Sequence, residues 1–326
     1  MPAWTLEAEG LHLRRTLDSG QAFRWRWEAR DGGPGVATGI VGSHRLRVAQ
    51  DARGIHLLAP ATATARDALA RYLTLPTADA ARAGDGPPGL RRIEALLAAD
   101  AVLARVLPRT RGITLLVQDP WEVLISFIVS QNNNIPKITR SIEGLARALG
   151  EPLGEGVYAF PSPARLAAAH PATLRACHLG YRAPYVRGAA RRVAEGRLDL
   201  DRLCRIPEDE AREALRELPG IGDKVADCIL LFALGKVTTF PVDVWIRRAV
   251  ERLYLGGRPT PLREIRAFAR DRFGPLAGYA QQHLFVYARE HLRDLDGRDA
   301  VAVIEPGDTP VRSRPATRPR TRRSRG

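Results

Sequence analysis

The sequence predicts an α+β fold, in which an N-terminal antiparallel β-sheet with helices is followed by an all-helical domain. Three observations support this prediction. Short segments that alternate bulky and charged residues occupy the region from Trp4 to Leu58. From Asp119 onward the apolar residues recur at helical spacing. Beyond about residue 305 the chain consists mainly of Arg, Pro, Thr and Ser, which cannot bury a core. We therefore expect domains at 1–115 and 116–304 and a disordered Arg-rich tail at 305–326.

The N-terminal elements follow in order along the chain. Strands are predicted in AFRWRWE, GIVGSHRLRVAQ and GIHLLA, with the Gly/Pro-rich break DGGPG after the first of them. A helix is predicted over 64–75 and a second over 90–103, with an Ala/Gly/Pro linker at 78–89 between them. This region is therefore expected to be a small sheet accompanied by helices.

In the helical half, the residues at the start of each segment predict where the helices begin. DPWEVLISFIVSQ, PSPARLAAAH and PEDEAREALREL each place Pro in the first turn, and the first of them also has an acidic N-cap residue, Asp119. The third helix stops at Pro219, Gly220, Ile221 and Gly222, and a new apolar helix is predicted over 223–234. The segment 208–234 is thus a helix, a tight hairpin and a second helix.

Two glycines in the hairpin allow close backbone approach, so the amides at the start of the second helix can face a phosphate. The carbonyls around the turn, those of Arg216, Leu218 and Ile221, could equally bind K⁺ or Na⁺, and this ion would present positive charge to the same phosphate. A simple αα-hairpin without any ligand is the alternative interpretation.

The net positive charge of the chain indicates which classes of molecule it binds. The formal net charge is +14, of which the tail from residue 305 supplies 7 − 2 = +5 and the rest of the chain 14 − 5 = +9. Such a field attracts polyanions, so nucleic acid is the first expectation and an anionic membrane surface the second. No apolar run of 18 residues and no signal-peptide pattern is found, so we expect an intracellular protein that does not enter a membrane. Cys177, Cys204 and Cys228 are too few and too far apart for a disulfide framework, a zinc site or an iron–sulfur cluster.

Lys224 is the most informative charged residue, because the chain has only three lysines among 50 basic residues. It stands in the first turn of a predicted helix, where the helix dipole disfavours a cation and so favours a nucleophilic amine. Arginine cannot replace an amine nucleophile, because its guanidinium stays protonated. Nineteen residues later, Asp243 precedes another helix and can stabilise a cationic transition state. The alternatives are a solvated lysine that contacts phosphate and an N-cap aspartate.

An ordered set of motifs resembles one family. LPGIGDKVADCI followed by FPVDV resembles the helix-hairpin-helix DNA glycosylases, and SGQAFRW, DPWEVLISFIVSQNNNIPKIT, LGYRAPYV and GYAQQHLF resemble the 8-oxoguanine DNA glycosylase family in particular. The resemblance covers about residues 4–292. It implies a helix-hairpin-helix glycosylase domain and a bifunctional DNA glycosylase and AP lyase that removes oxidised guanine from duplex DNA. It also implies a monomer that requires no cofactor and, in a prokaryote, works in the cytoplasm at the nucleoid.

The resemblance assigns roles residue by residue. Lys224 would attack C1′ and form a Schiff base, and Asp243 would stabilise the developing positive charge. The flipped-out base would be read by the Gly20 carbonyl and by Gln281 and held between Cys228 and Phe285. The orphaned cytosine and the gap in the stack would be contacted by Asn132, Lys137, Tyr181 and Arg182, and the lesion-strand phosphate by the hairpin 219–222.

This chain departs from the family pattern at three positions. Lys137 replaces an arginine, which removes a bidentate fork and so predicts weaker discrimination for cytosine. Trp245 replaces a histidine expected to contact phosphate, and Ala288 replaces an aspartate.

Two other functions are alternatives. One is another glycosylase of the superfamily, for adenine, thymine glycol or alkylated bases, against which the missing cysteine cluster and Lys224 count. The other is a helix-hairpin-helix module that only binds the DNA backbone.

Overall fold

The computed structural model describes residues 4–28, 35–60, 62–75 and 89–292. It confirms the predicted α+β fold: a five-stranded antiparallel sheet precedes a large group of helices. The DGGPG break before its last residue, the predicted linker up to residue 88 and the Arg-rich tail lie outside the described residues. Among the helices that are described, none combines the length and the apolar character needed to cross a membrane.

The sheet has the strand order β1, β5, β4, β3, β2, and every neighbouring pair is antiparallel. Its inner face buries side chains such as Leu46, Val48 and Leu57 against the helix that follows the sheet. The strands are β1 (Trp4–Leu6), β2 (Arg26–Glu28), β3 (Val36–Val41), β4 (His44–Asp51) and β5 (Gly54–Ala59).

The predicted strand AFRWRWE is wrong in its first half. Only Arg26–Glu28 pairs with a neighbouring strand. Phe23 instead packs edge-on against Phe127 of the helical core, and the Arg24 guanidinium is bound by the carboxylate of Glu143 at 2.9 Å. Because these two side chains are held by the helical half, the chain leaves the sheet at this point.

In the described part of the N-terminal region four helices accompany the sheet, and their boundaries differ from the prediction. The single helix expected at 90–103 is two helices, because the Asp100 carboxylate caps a new one by accepting the amides of Val102 and Leu103 at 3.0 and 2.9 Å. The four are α1 (Leu13–Leu17), α2 (Ala63–Tyr72), α3 (Leu90–Leu97) and α4 (Ala101–Thr110). Side chains of α3 and α4, such as Ile93 and Val106, join the core of the helical half. That core therefore extends across the predicted boundary near residue 115.

The remaining helices form one bundle around a continuous apolar core. Two of the three predicted starts are confirmed: Asp119 caps its helix through the amide of Trp121 at 2.7 Å, and Pro occupies the first turn at residues 120 and 163. In the third, Pro207 is the N-cap residue, and the helix begins at Glu208. The helices are α5 (Pro120–Val129), α6 (Ile135–Leu149), α7 (Pro163–Ala167), α8 (Pro171–Ala176), α9 (Ala183–Ala194), α10 (Leu200–Arg205), α11 (Glu208–Arg216), α12 (Asp223–Phe232), α13 (Val244–Tyr254), α14 (Leu262–Phe273) and α15 (Ala277–His291).

Packing places α12 at the centre of the bundle. It lies against α5 and α11, while α15 lies against α4 and α13. All eight residues from Val225 to Phe232 are buried, so only the first turn of α12 reaches the surface. The side chains of that first turn are therefore the part of α12 that is available for binding or catalysis.

Candidate functional site

A cavity of about 550 Å³ opens where the first turn of α12 meets α15, α5 and the segment at 19–23. Its volume lies in the range of small-molecule sites. All six residues that the sequence assigned to catalysis and base binding line it: Gly20, Lys224, Cys228, Asp243, Gln281 and Phe285. These residues span more than 260 positions of sequence, so only the fold brings them together.

Lys224 lies against an aromatic floor. Its Nζ is 5.8 Å from the centroid of the Phe127 ring, which stacks on Phe232 and meets Phe23 edge-on. The buried part of α12 anchors the other end of the side chain. The amine is thus held at an apolar wall and directed into the cavity.

Asp243 is the N-cap of α13, since its carboxylate accepts the amide of Ile246 at 2.8 Å. The alternative role that the sequence suggested for Asp243, that of an N-cap residue, is therefore confirmed. Burial raises the pKa of Asp243, while the bond from Ile246 and the positive charge of Lys224 act against that rise. The carboxylate thus faces the cavity beside the amine in an environment that makes a nearby positive charge favourable.

The side walls of the cavity are Gly20, Phe285 and Cys228. Gly20 has φ +87°, and a Cβ added there would lie 3.1 Å from Cε1 of Phe285, so backbone and ring are in close contact. Burial raises the pKa of the Cys228 thiol to about 11, which keeps it neutral. Cys228 therefore serves as an apolar wall and not as a nucleophile.

Gln281 carries an unsatisfied polar atom into the cavity. Its Nε2 donates to the Pro241 carbonyl at 3.3 Å, whereas its buried Oε1 has no hydrogen-bond partner among the described residues. A buried acceptor without a partner costs about 1–3 kcal/mol. A ligand that donates a hydrogen bond would remove that cost.

The hairpin before α12 has the features expected of a phosphate site. Gly220 has φ +85°, and a Cβ there would lie 2.5 Å from the Tyr185 ring, so both conformation and packing require glycine. Gly222 is the N-cap and supplies no side chain to the first amides of α12. Asp223, in that first turn, is neutralised by Arg216 at 3.1 Å and Arg266 at 2.8 Å. The first amides of α12 therefore receive no hydrogen bond from a capping side chain, and the negative charge of Asp223 is balanced, so that an anion can bind there.

A buried ion-pair network fixes α12 from behind. The carboxylate of Asp227, three residues after Lys224, is 1% exposed and lies 2.9 Å from Arg212 of α11 and 3.2 Å from Arg266 of α14. The sequence contained no signal for it beyond a charged residue inside an apolar helix. The network ties three helices together at the level of the lysine.

The four residues assigned to the opposite base lie outside the cavity lining, and three of them contact one another. Asn132 adopts φ +46°, and its Nδ2 donates to the hydroxyl of Tyr181 at 3.3 Å. Tyr181 is 53% exposed. Lys137 stands exposed in the first turn of α6.

Arg182 differs from what the resemblance implied. Its guanidinium is buried, lies over the Tyr181 ring and donates to the carbonyls of Gln131, Asn132 and Leu179. Contact with a base would require these bonds to be exchanged. In this structure Arg182 orders the Asn132 turn and supports Tyr181.

Several residues of the site were not found from the sequence. Phe127 lies in α5, where seven consecutive buried residues leave no periodic signal. The Gln282 amide donates to the Ser19 carbonyl at 2.9 Å and so fixes the segment that carries Gly20; a second glutamine in GYAQQHLF was the only hint. Arg289 lies over the Phe285 ring at 5.7 Å, although it resembles a surface arginine in the sequence.

The structure also shows the surroundings of Lys236 and of the other two departures from the family pattern, Trp245 and Ala288. The ammonium of Lys236 donates to the carbonyls of Cys204 and Ile206 at 2.8 and 2.7 Å, so this lysine has a structural role that the sequence did not suggest. Trp245 lines the cavity, with Arg248 over its ring at 5.4 Å. Ala288 is fully buried. Within the described ranges no group of three or more His, Cys, Asp or Glu side chains is arranged to hold a metal ion.

Family models match almost the whole described chain. Residues 125–273 match the HhH-GPD superfamily of base excision DNA repair proteins, and residues 4–124 match the N-terminal domain of 8-oxoguanine DNA glycosylase. The chain is 40% identical over 213 residues to a probable N-glycosylase/DNA lyase of Methanothermobacter thermautotrophicus, covering 58% of this chain and 68% of that protein. It is 29% identical over 283 residues to the N-glycosylase/DNA lyase of Saccharomyces cerevisiae, covering 78% and 72%.

A solved structure shows the same architecture. The 8-oxoguanine glycosylase/lyase of Clostridium acetobutylicum, in complex with double-stranded DNA containing cytosine opposite 8-oxoG, superposes with a TM-score of 0.76. The two chains are 32% identical, and the superposition covers 86% of this chain and 92% of the other. The cavity and the hairpin thus lie in a fold that has been observed on DNA.

Proposed function

The chain belongs to the 8-oxoguanine DNA glycosylase family, within the HhH-GPD superfamily, and is a bifunctional DNA glycosylase and lyase of base excision repair; from this premise we propose that it excises 8-oxoguanine opposite cytosine through a Schiff base on Lys224. One observation carries the proposal. Lys224 and Asp243 line the same cavity as the four residues assigned to the base. The amine, its electrostatic partner and a pocket for a base are therefore within reach of one flipped-out nucleotide.

The chemistry follows from this arrangement. The unprotonated amine of Lys224 attacks C1′, the N-glycosidic bond breaks, and its electron pair leaves with the oxidised base, which takes up a proton. The new secondary ammonium group then loses one proton, and the C1′–O4′ bond of the sugar breaks while O4′ takes up a proton, which gives the protonated imine. Removal of a proton from C2′ then expels the 3′ phosphate by β-elimination. The Asp243 carboxylate stabilises the positive charge that develops on the sugar before the new bond is complete.

Base selection rests on two groups. The unpartnered Oε1 of Gln281 can accept a hydrogen bond from the Watson–Crick edge of an oxidised guanine. The Gly20 segment, fixed by Gln282 and pressed against Phe285, offers a carbonyl for the N7 hydrogen that 8-oxoguanine has and guanine lacks. A buried carbonyl left without a donor is what would penalise guanine.

The opposite strand and the backbone involve separate groups. Tyr181, supported by Arg182, can fill the gap in the stack, and Asn132 with Lys137 can contact the orphaned cytosine. The hairpin 219–222 would hold a phosphate of the lesion strand. We propose that the enzyme acts as a monomer and that its substrate is duplex DNA with an oxidised guanine.

We also propose that the hairpin carbonyls of Arg216, Leu218 and Ile221 hold K⁺ or Na⁺. Neutral carbonyl oxygens are the ligands that such ions accept, and the Leu218 oxygen accepts only the Ile221 amide, at 3.0 Å, among the backbone bonds. DNA affinity should then differ between KCl and tetramethylammonium chloride at equal ionic strength. Equal affinities in the two salts would contradict the cation site.

The excision proposal is tested by borohydride trapping on duplex DNA with 8-oxoguanine opposite cytosine. We expect a covalent adduct with the wild-type protein and none with Lys224→Gln or Lys224→Arg. Because the chain has three lysines, peptide mapping identifies the attachment site directly. Lys236→Arg, at a lysine with a structural role, is the matched control and should still be trapped. An undiminished adduct in Lys224→Gln would refute the assignment of Lys224 as the nucleophile. The absence of an adduct in the wild type would favour the alternative of a module that only binds DNA.

A panel of lesions and opposite bases tests the substrate. Oxidised guanine opposite cytosine should give the fastest single-turnover base release. Faster release of an adenine, a thymine glycol or an alkylated base would favour the rival glycosylases.

A further inference from the structure

An open groove of about 500 Å³ lies along α9, apart from the cavity that contains Lys224. None of the residues assigned to excision lines it. It begins next to Tyr181 and continues along the exposed side of the helix. Its lining includes Leu174, Arg175, Gly180, Arg187, Gly188 and Arg191.

The groove is positively charged. Three arginines line it, and in the part of the chain that the structure describes no carboxylate lies along it. This contrasts with the neighbouring Arg192, which is 3.4 Å from Glu217. The Nε of Arg187 donates to the Ala167 carbonyl at 3.2 Å, which fixes the direction of its guanidinium. Guanidinium groups held in this way match the geometry of phosphate.

Gly188 supplies a second, independent observation. It lies in the interior of α9, where glycine destabilises a helix relative to alanine. A Cβ added there would meet nothing within 4 Å, and its φ is not in the left-handed region. Neither packing against the described residues nor backbone conformation therefore requires glycine. The absence of a side chain at Gly188 leaves the floor of the groove open, so that a ligand can approach the helix backbone closely.

The position of the groove indicates which strand it would meet. Tyr185 packs under the hairpin glycine Gly220, and Tyr181 contacts Tyr185 edge-on at 6.3 Å, so both rings lie on the hairpin side of this segment. The groove occupies the neighbouring side, beginning at Gly180. A wedge at Tyr181 thus separates the hairpin from the groove.

We propose that this groove binds the sugar–phosphate backbone of the DNA strand opposite the lesion. The proposal rests on the proposed function, because it takes the hairpin as the site of the lesion strand and Tyr181 as the wedge. The three guanidinium groups neutralise two or three consecutive phosphates, and Gly188 lets the backbone approach the helix. The undamaged strand is then held while the lesion nucleotide rotates out.

The first test measures binding of a duplex that carries an abasic-site analogue opposite cytosine, by fluorescence anisotropy at several salt concentrations. The triple variant Arg175→Gln, Arg187→Gln, Arg191→Gln should bind more weakly, with a slope of log K against log salt lower by about 2 to 3. The control changes three exposed arginines on other elements, Arg71→Gln, Arg92→Gln and Arg263→Gln, and so has the same net charge. Equal slopes in the two triple variants would overturn the proposal.

A steric variant separates contact from charge. Gly188→Leu leaves the charge unchanged, fills the groove and replaces glycine by a strong helix former. We expect weaker DNA binding with a melting temperature equal to or above that of the wild type. Unchanged affinity in Gly188→Leu would overturn the proposal, and the melting temperature shows that a loss of affinity is not a loss of folding.

The strand is identified by replacing single phosphates with uncharged methylphosphonates. Wild-type affinity should fall when linkages near the orphaned cytosine are neutralised, and the arginine triple variant should be insensitive to them. Sensitivity that maps only to the lesion strand, or that persists in the triple variant, contradicts the assignment. Binding requires no base release, so a failure to excise 8-oxoguanine would refute the proposed function without affecting this measurement.

Discussion

Asp243 carries two functions that a pair of substitutions can separate. Its carboxylate caps α13 through the amide of Ile246 at 2.8 Å, and it also faces the cavity beside Lys224. Asn caps a helix about as well as Asp, whereas Ala does not. Asp243→Asn therefore removes the charge and keeps the cap, while Asp243→Ala removes both.

The structure fixes the direction of each effect. Loss of the cap in Asp243→Ala should lower the free energy of unfolding by about 1 kcal/mol. Burial raises the pKa of Asp243, so folding disfavours its charged form. Asp243→Asn should then be as stable as the wild type or more stable at neutral pH. Base release should nevertheless fall by about 100-fold or more, the scale of losing one preorganised electrostatic group.

The pH dependence has a defined sign. A carboxyl whose pKa is higher in the folded state than in the unfolded state stabilises the folded protein only while it is protonated. The advantage of Asp243→Asn over the wild type should therefore grow as pH rises from the unfolded pKa through the raised folded pKa, and stay constant above it. Base release by the wild type should fall on acidification at a higher pH than an ordinary carboxyl would give.

The assays are denaturant unfolding at several pH values and single-turnover base release. Asp243→Ala should lose both stability and activity, and Asp243→Asn only activity. If Asp243→Asn retains base release within a factor of about three, the carboxylate is only a cap, and the electrostatic role is refuted.

Three further predictions concern the pocket, the ion-pair network and the opposite base. Gly20→Ala places a Cβ at φ +87° and 3.1 Å from Phe285, so unfolding free energy should fall by about 1–2 kcal/mol and the ratio of 8-oxoguanine to guanine excision should drop; an unchanged ratio would refute the pocket assignment. Asp227→Ala should lower unfolding free energy by about 2 kcal/mol, because Arg212 and Arg266 lose a buried acceptor that even a neutral side chain such as Asn would keep. Asp209→Ala, at a carboxylate that is 96% exposed, is the control and should change it by less than about 0.5 kcal/mol. Lys137→Arg should sharpen the preference for cytosine opposite the lesion by about tenfold, because a bidentate fork is restored; equal single-turnover rates opposite all four bases would contradict this.

Local patterns predicted much of the fold and part of the site. Several features depend on residues close in sequence: the helix starts at Asp119 and Pro163, the hairpin before α12, and the order of sheet and bundle. The break between α3 and α4 was missed, although Asp100 is a good N-cap residue, because the apolar spacing continues across it. The strand predicted before Arg26 was wrong because side chains more than 100 positions away, those of Phe127 and Glu143, hold Phe23 and Arg24.

The sequence by itself determined the fold class, the helix-hairpin-helix and the pairing of a rare lysine with a following aspartate, because capping, turn chemistry and side-chain type act within a few residues. Only the tertiary structure decided that Phe127 lies under Lys224, that Gln282 fixes the Gly20 segment and that Arg182 is buried in carbonyls. It also showed that Lys236 is structural, which left Lys224 as the lysine at the cavity. These contacts join residues far apart in the chain, and close packing of the whole bundle, not any local preference, selects them.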